Sequence, residues 1–532
     1  MKNGSTDPRS RRHFLRQLAA LVATSAWWQA CADAVQRISA RFTGAPAALG
    51  HRLLTRDFPP VTREERVKIL VIGGGIAGLS ACRTLVKNGE TAFLLLDLDE
   101  QPGGNSAWRQ NAYTRYPLGA HYLPLPNTHD AALIEFLREE NIITGFDAGG
   151  EPVFREEYLA AAPQARLYIR EYWQEGLIPA HGVSEDSQAQ LRDFYKKMED
   201  FKRLRGADGK YVFDIPVNNA SVDPAWRHLD GWTMQTWLQR EGYSAPELFA
   251  HVDYCCLDDF GAGVARVSAW AGIHYFAARK SAQDTVLTWP EGNGFLVNCF
   301  EKYTRGRLRQ QCLAYHLQPE QDSVFATVYD AAGDCSVRFT AEKVVLATPQ
   351  FVNQRLLPAR RIDLSAFHYA PWLVATLVLR ELPDASGMPL CWDNVIYKGK
   401  GLGYINTLHQ SVAQRNARQV ITCYHAFDGP AAQALRRELY RRNTGYWQRY
   451  ILDDLRQAHP GIESQVESMD IQRWGHGMIS PVPGFLFGDA LAAARQPLGR
   501  RIFFAHSDLS GMSLFEEAFH QGVAAAESVL AR

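Results

Sequence analysis

The chain has no charge of either sign to spare: Lys and Arg together number 57, and so do Asp and Glu. A net charge of zero removes the electrostatic argument for a nucleic-acid partner or a strongly acidic one. Paired cysteines are also missing. The nine cysteines, at 31, 82, 255, 256, 299, 312, 335, 391 and 423, contain no C-x-x-C. Zinc and iron–sulfur centres therefore find no ligand spacing, and no metal is expected. The adjacent Cys255 and Cys256 read either as a redox pair or as two packing residues. Beyond the N-terminal segment there is no apolar run long enough to read as a membrane span. What is plentiful is hydrophobic residues, at 46%, with 13 Trp and 21 Tyr among 532 residues. That suits two or three domains, or two large interleaved ones. The aromatics suit a large core and would also suit an aromatic-lined pocket.

The most informative stretch is Lys68 to Gly104, KILVIGGGIAGLSACRTLVKNGETAFLLLDLDEQPGG. An apolar run from Ile69 to Ile72 meets Gly73, Gly75 and Gly78 at G-x-G-x-x-G spacing. A helical pattern follows from Ile76 to Lys87 and stops at Asn88-Gly89. A second apolar run, Ala92 to Leu96, ends on Asp97, nineteen residues after Gly78. The order is strand, tight turn, helix, strand, as a dinucleotide site requires. Gly73 permits the sharp turn, Gly75 lets backbone approach a pyrophosphate, and Gly78 lets the helix pack against the strand. Ile76 and Ala77 open the helix, whose free N–H groups and positive dipole end face the phosphates. Asp97 can accept from a ribose diol.

The N-terminus reads as an address. Ser10-Arg11-Arg12-His13-Phe14-Leu15 resembles the twin-arginine export motif, and a moderately apolar segment, Leu18 to Cys31, follows. Small residues at 30, 32 and 34 offer cleavage sites, so residues 1–34 read as a signal peptide and the expected compartment is the periplasm. Cys31 is the one position where a lipid anchor could attach. Residues 35–64, with three prolines, read as a linker.

Gly103 and Gly104, six residues past Asp97, complete a pattern that resembles the E-x(5)-G-G of flavin-containing amine oxidases and their relatives. That family often places an arginine after the pair. Here it is Asn105, so the arginine's role is unfilled or moved. Further segments are similar to the same family. Trp289 to Phe295 resembles its P-x-G-G entry, and Val344 to Pro349 its V-I-x-A-x-P turn. Ala314 stands where the family's backbone meets adenine. Arg501 to Asp508 resembles I-x-F-A-G-x-E/D, bringing Ser507 and Asp508 to the ribityl chain or pyrophosphate. Ser513 to Gly522 is similar to the family's closing helix, with Glu517 and Ala518 in its first turns.

The resemblance implies an α/β protein in which a Rossmann-like FAD-binding domain is interleaved with an α+β substrate domain. The FAD portions are expected at 65–128, 289–355 and 495–532, and the substrate portions at 129–288 (mostly helical) and 356–494. FAD is the implied cofactor. The implied chemistry is hydride removal from a carbon next to an amine nitrogen, on a polyamine or another primary or secondary amine. Oxygen, a quinone or a cytochrome would then take the electrons. Family position makes His121, Trp474 and His476 the catalytic candidates, the histidines as bases and Trp474 beside an aromatic pocket. His121 also reads as a loop histidine with a structural bond. A carboxylate facing the pocket would suit a cationic amine, and Glu157, Glu171, Glu175, Asp258 and Asp259 lie in the region that would supply it. One departure matters: Val374 stands by count where several amine oxidases carry a lysine against the flavin, which puts fast reaction with oxygen in doubt. The rival readings are a carbon–carbon desaturase or isomerase of the carotenoid-desaturase type, and a flavin-binding partner protein that turns nothing over.

Overall fold

A computed structural model describes residues 38–44, 47–283, 285–411 and 417–531. The twin-arginine motif and Cys31 lie outside the described residues. Strands are divided between two large sheets. The first holds β2 (Val61–Ile72), β3 (Phe93–Leu96), β4 (Cys335–Leu346) and β7 (Ile502–Phe504), all parallel, with Leu308–Arg309 at one edge. Cys312–Pro319 and Val324–Asp330 fold antiparallel against β4. The second sheet has eight strands. Its centre is β5 (Tyr369–Leu379), flanked by Gln419–Ala426 and by β6 (Val466–Ile479).

The parallel strands are apolar on both faces because both faces are covered. Ile69 and Val71 pack toward α2 (Ile76–Lys87) and α3 (Phe515–Leu530), while Leu70 and Ile72 pack toward the antiparallel hairpin. The two helices approach closely because Gly522 has no side chain. A Cβ there would lie 2.0 Å from the Ala77 carbonyl oxygen and 2.0 Å from Ser80 Oγ, which itself donates to the Phe519 carbonyl at 2.9 Å. Gly522→Ala is therefore expected to cost about 3 kcal/mol through overpacking. A urea midpoint that does not fall would show that the helices can part without penalty.

Two stretches differ from the sequence expectation. Residues 35–64 are not a linker where they are described. β1 (Ser39–Thr43) pairs in parallel with β6, from Ser39 against Ser468 to Thr43 against Gln472. α1 (Ala47–Thr55) follows, with Leu53 buried in the core under the antiparallel hairpin. Residues 161–175 show apolar spacing of three and four, yet form two strands, Ala165–Ile169 and Tyr172–Glu175. Parallel pairing of the first with Asp393–Ile396 supplies partners that a helix would forgo. The helices expected at 129–141, 185–204 and 233–241 are present as Ala131–Glu139, Glu185–Arg203 and Met234–Arg240. Residues 431–457, whose pattern reads as a long helical stretch with Gly445 as a possible break, form two helices, Ala432–Arg441 and Thr444–Leu455, the second capped by Asn443, which accepts from Tyr446 N.

No described helix is long and apolar enough to cross a membrane. Every described cysteine is a free thiol. Cys255 and Cys256 are buried, and burial pushes both thiols far up, so they serve as packing residues rather than a reactive pair.

Candidate active site

The glycine loop has the form its spacing predicts. Gly73 sits at φ +108°, with the Ala347 carbonyl oxygen 2.5 Å from where a Cβ would be. Gly78 meets the Gly73 carbonyl at 1.9 Å in the same sense. Gly75 differs: a Cβ there would meet only Gly104 Cα, at 4.0 Å, and would otherwise fill the groove. Gly75 also bridges to Gly103, so the two glycine motifs lie side by side. Ile76 and Ala77 open α2, and Gly75, its N-cap, offers no side chain to satisfy their N–H groups. A backbone cradle that a Cβ would fill, next to a free helix N-terminus, fits the diphosphate of an extended dinucleotide.

Asp97 ends β3 and is buried. Its Oδ2 accepts from Gly74 N at 2.6 Å and its Oδ1 from Asp99 N at 2.7 Å. Burial pushes its pKa up to about 6 against the pull of those two amides. It therefore braces the glycine loop, with its remaining lone pairs for a ribose. Ala314 lies buried at a register shift in the strand whose first amide, Cys312 N, donates to the Asp97 carbonyl. Asp97 and Ala314, both singled out from the sequence, thus lie within one short span of the groove.

Asp508 follows β7 and is almost fully buried. It accepts from Tyr369 Oη at 2.5 Å and Gln350 N at 2.8 Å, and lies 3.0 Å from His506 Nδ1. Burial opposes its charge, but His506 and those donors hold its pKa below the ordinary value. Ser507 is buried beside it. Glu517 departs from the expectation that it contacts the cofactor. Its Oε1 accepts from Val217 N at 2.7 Å, and burial lifts its pKa to about 7. It ties α3 to the helical region, as its place one residue past the cavity-lining Glu516 dictates. Ala518, partly buried, packs against the same core as α2 and α3.

Beyond the groove lies a partly open cavity with about 770 Å³ of space free of protein atoms, some of it continuous with solvent. Its walls come from separate parts of the chain: Asn105, the Gly119–Tyr122 loop, Trp372 and Val374 on β5, Tyr424, Trp474 on β6, and Ser513 to Glu516 at the start of α3. Trp474 is fixed by donation from Nε1 to the Leu118 carbonyl at 2.6 Å. His121 lies against Tyr424, with ring centroids 4.4 Å apart, and near Tyr122 and Trp392. Burial pushes its pKa down to about 3. It is a neutral aromatic member of the wall, and a base of that strength cannot hold a substrate proton at neutral pH. His121→Phe is accordingly expected to leave the shape of the pH–rate profile unchanged; loss of a limb between pH 5 and 8 would show that the imidazole titrates.

His476 is not in the cavity wall. β6 slips register against β5 between Trp474 and Met478, and the extra residues turn His476 away from the face its neighbours share. The ring stacks on Phe351 at 4.1 Å and meets Tyr369 at 5.6 Å. A catalytic role at the cavity is therefore withdrawn for His476.

Among the carboxylates considered from sequence, Asp258 and Asp259 line the cavity. Both sit in the last turn of Pro246–Phe260, at the negative end of the helix dipole. Gly261 ends that helix in the left-handed region and lets it abut Ala370 and Trp372. Asp259 has a counter-ion: Arg279 Nη1 is 3.3 Å away, and Arg279 Nε is 3.7 Å from Glu516. Asp258 has no cation within ion-pair distance among the described residues; it accepts from Tyr122 Oη at 3.1 Å. Burial first, and then the Asp259 charge, push its pKa up to about 7. A third carboxylate, Asp393, is lifted to about 8 by burial and by Asp258.

Four polar atoms in this wall are buried without a hydrogen-bond partner: Arg279 Nε, Asn293 Oδ1, Trp372 Nε1 and Tyr424 Oη. Convergent orphaned groups of this kind mark a ligand site. Sequence reasoning missed Tyr122, Arg279, Trp372, Asp393 and Tyr424. Only Trp372 left a readable signal, since it alternates with Val374 on the cavity face of a strand. No lysine lines the cavity, and Val374 occupies its wall.

A family model described as an NAD(P)-binding Rossmann-like domain matches residues 71–139. Comparison with curated proteins gives no match. Among solved structures, wild-type putrescine oxidase bound to putrescine has 15% identity and a TM-score of 0.61, over 88% of this chain and 100% of that one. A cyclohexylamine oxidase from Brevibacterium oxydans IH-35A has 16% identity and a TM-score of 0.61, over the same shares. A CLA-producing fatty acid isomerase from P. acnes has 14% identity and a TM-score of 0.59, over 86% of this chain and 97% of that one. At these identities the likeness is one of fold, and it spans nearly the whole chain.

Proposed function

We propose that this chain, which has the fold of the flavin amine oxidase superfamily, is an FAD-dependent oxidoreductase whose substrate is a cationic amine. The observation that carries the reading is Asp258: a half-buried carboxylate facing the cavity, with no cation within ion-pair distance among the described residues. Burying a lone carboxylate costs several kcal/mol unless a cation joins it. An ammonium group entering the cavity supplies that cation.

The groove from Asp97 past Gly75 to Asp508 would hold the adenosine, diphosphate and ribityl parts of FAD, and the start of α3 would face its pyrimidine side. When bound, FAD supplies the acceptor for a hydride from the carbon next to the amine nitrogen. The chain's own residues bind, orient and keep water out. Tyr122, His121, Trp372, Tyr424 and Trp474 form a mainly aromatic slot that sets the plane of the substrate. Asp258 draws the ammonium in, with Tyr122 Oη fixing the carboxylate. The uncharged amine is the reactive form, so its proton must leave first. Asp258, with a pKa near 7, can take that proton more readily than an ordinary aspartate.

Two features bear on the electron acceptor and on the rival reading. Val374 leaves no lysine beside the flavin space, which favours a quinone or cytochrome over oxygen as acceptor. The same apolar residue suits carbon–carbon chemistry like that of the isomerase relative, but three carboxyl groups and a guanidinium in the wall do not suit an apolar substrate. The test is anaerobic mixing of the flavin-loaded protein with diamines, polyamines and monoamines. Bleaching of the flavin bands by an amine supports the proposal. Bands that no amine bleaches, but that an unsaturated lipid or polyene alters, would replace it with the isomerase reading.

A further inference from the structure

The diphosphate of a bound dinucleotide carries two negative charges, and the loop that cradles it here has lost its usual cation. The residue after the glycine pair is Asn105. Its amide is committed elsewhere, with Nδ2 donating to the Gly477 carbonyl at 2.6 Å. Asp99, two residues past Asp97, adds a half-buried carboxylate whose buried Oδ1 has no hydrogen-bond partner. Backbone amides and the α2 dipole remain; the nearest side-chain cation, Arg109, acts on Asp99 and bonds Gln101 and the Trp108 carbonyl.

The opposite wall has them. Next to Gly477 is His476, turned out of the cavity by the register slip in β6 and exposed at its edge. Phe351 and Tyr369 hold its ring. Phe351 begins the helix that follows the β4 turn, two residues past Pro349, so this ring lies at the same strand ends as Gly73 and Asp508. Arg436 sits in the same nest. Its Nη1 donates to the Tyr369 carbonyl at 3.2 Å, and its charge acts on His476. The third member is His51 of α1, also within electrostatic reach of His476. Its ring meets Tyr440 at 5.8 Å, and Tyr440 Oη accepts from Gly475 N at 3.3 Å. Beside His51, Gly50 places α1 against Leu98, immediately after Asp97. α1 thus spans from the ribose end of the groove to the His476 nest. The one acid in the nest, Asp508, is already bonded to Tyr369, Gln350 and His506. One guanidinium and two imidazoles converge without a carboxylate of their own, and an anion there can accept from all three.

We propose that Arg436, His476 and His51 form the side-chain clamp for the cofactor's diphosphate, in place of the arginine that Asn105 displaces. The clamp rests on the reading of the groove as an FAD site. It assigns α1, which precedes the dinucleotide fold, a direct part in holding the cofactor. It also gives His476 a binding role where the sequence suggested a catalytic one. Arg436 supplies the permanent charge. The two imidazoles each donate one N–H to a phosphate oxygen; burial, and then the Arg436 charge, keep His476 neutral, with its pKa down to about 3.

The experiment strips flavin from the purified protein and titrates the apoprotein with FAD and, separately, with riboflavin, which has no phosphate. Fluorescence of the isoalloxazine reports both. Charge-assisted bonds to phosphate are worth about tenfold or more each. Arg436→Gln with His476→Gln is therefore expected to raise the FAD dissociation constant about a hundredfold and to leave that of riboflavin within about threefold. His51→Gln, a surface change on α1, is expected to weaken FAD about fivefold with no change in apoprotein melting temperature. Adding Asn105→Arg to the double variant should recover most of the lost FAD affinity. FAD affinity unchanged in all variants overturns the clamp, and so does a loss shared equally by riboflavin. Wild-type protein that binds neither flavin overturns the cofactor reading itself.

Discussion

Asp258→Asn is expected to lower kcat/KM for the amine substrate about a hundredfold, with most of the loss in KM. Removing one partner of a buried, hydrogen-bonded charge pair costs about 2–5 kcal/mol, and each 1.4 kcal/mol is a factor of ten. The pH dependence provides the second readout. The Asp258 pKa is raised to about 7 by burial and by Asp259. Below that pH the carboxyl is protonated and cannot pair with an ammonium, so kcat/KM should fall as pH drops through about 7. In the asparagine variant that acid limb should disappear. The sign for stability is opposite. A carboxyl whose pKa rises on folding adds stability below its unfolded value and loses it as pH climbs through the folded one. Ligand-free protein should therefore melt lower above about pH 7, and the variant should show less of this effect. Kinetics in Asp258→Asn that match the wild type would remove the carboxylate from substrate binding.

Gly75→Val is expected to abolish flavin retention while leaving the apoprotein folded. Gly75 has φ −72° and ψ 179°, an extended conformation that any residue adopts, so the backbone is not strained by a side chain. Its Cβ would meet no protein atom nearer than 4.0 Å. The added methyl groups enter the groove instead, where the diphosphate must come within contact distance of the backbone. Gly78→Val provides the contrast. Its Cβ would lie 1.9 Å from the Gly73 carbonyl oxygen, with backbone rather than a flexible side chain in the way. That variant should lose cofactor and fold together, by more than 3 kcal/mol. Absorbance of the flavin and a melting curve on each protein separate the two cases. Stoichiometric FAD in purified Gly75→Val would remove this loop from the cofactor site.

The parts of the fold legible in the sequence were those that local chemistry decides. The helix expected at Ile76–Lys87 has those limits, because a glycine turn opens it and Asn88-Gly89 closes it. The buried strand Tyr369–Leu379 is likewise where an unbroken apolar run puts it. Residues 161–175 failed because their apolar spacing fits either state, and the deciding partner lies more than 200 residues away at Asp393–Ile396. The substrate side was legible only as residue types. Asp258 and Asp259 stood among several acids, and nothing local marked them as facing a cavity rather than solvent. Arg279 and Asp393 gave no signal because their roles arise only when β5, the Pro246–Phe260 helix and α3 close on one another. His476 illustrates a different limit. Its family position was readable, but the register slip that re-aims it depends on strand pairing.

β1 carries a consequence for how the molecule is assembled. Arg41 of this strand bonds Asp470 of β6 across 429 residues of sequence, and β7 and α3 come later still. A chain emerging from the ribosome must hold β1 without its partner until about nine-tenths of the 532 residues have been made. Contacts at such separation form late and slowly, and an open apolar edge is exposed meanwhile. Flavin cannot be captured before then either, since Asp97, Asp508 and the start of α3 belong to distant stretches of chain. Completion of the sheet and entry of the ligand are thus expected to be the final events of synthesis, and a chain that stalls before residue 466 should accumulate as an aggregation-prone, colourless species.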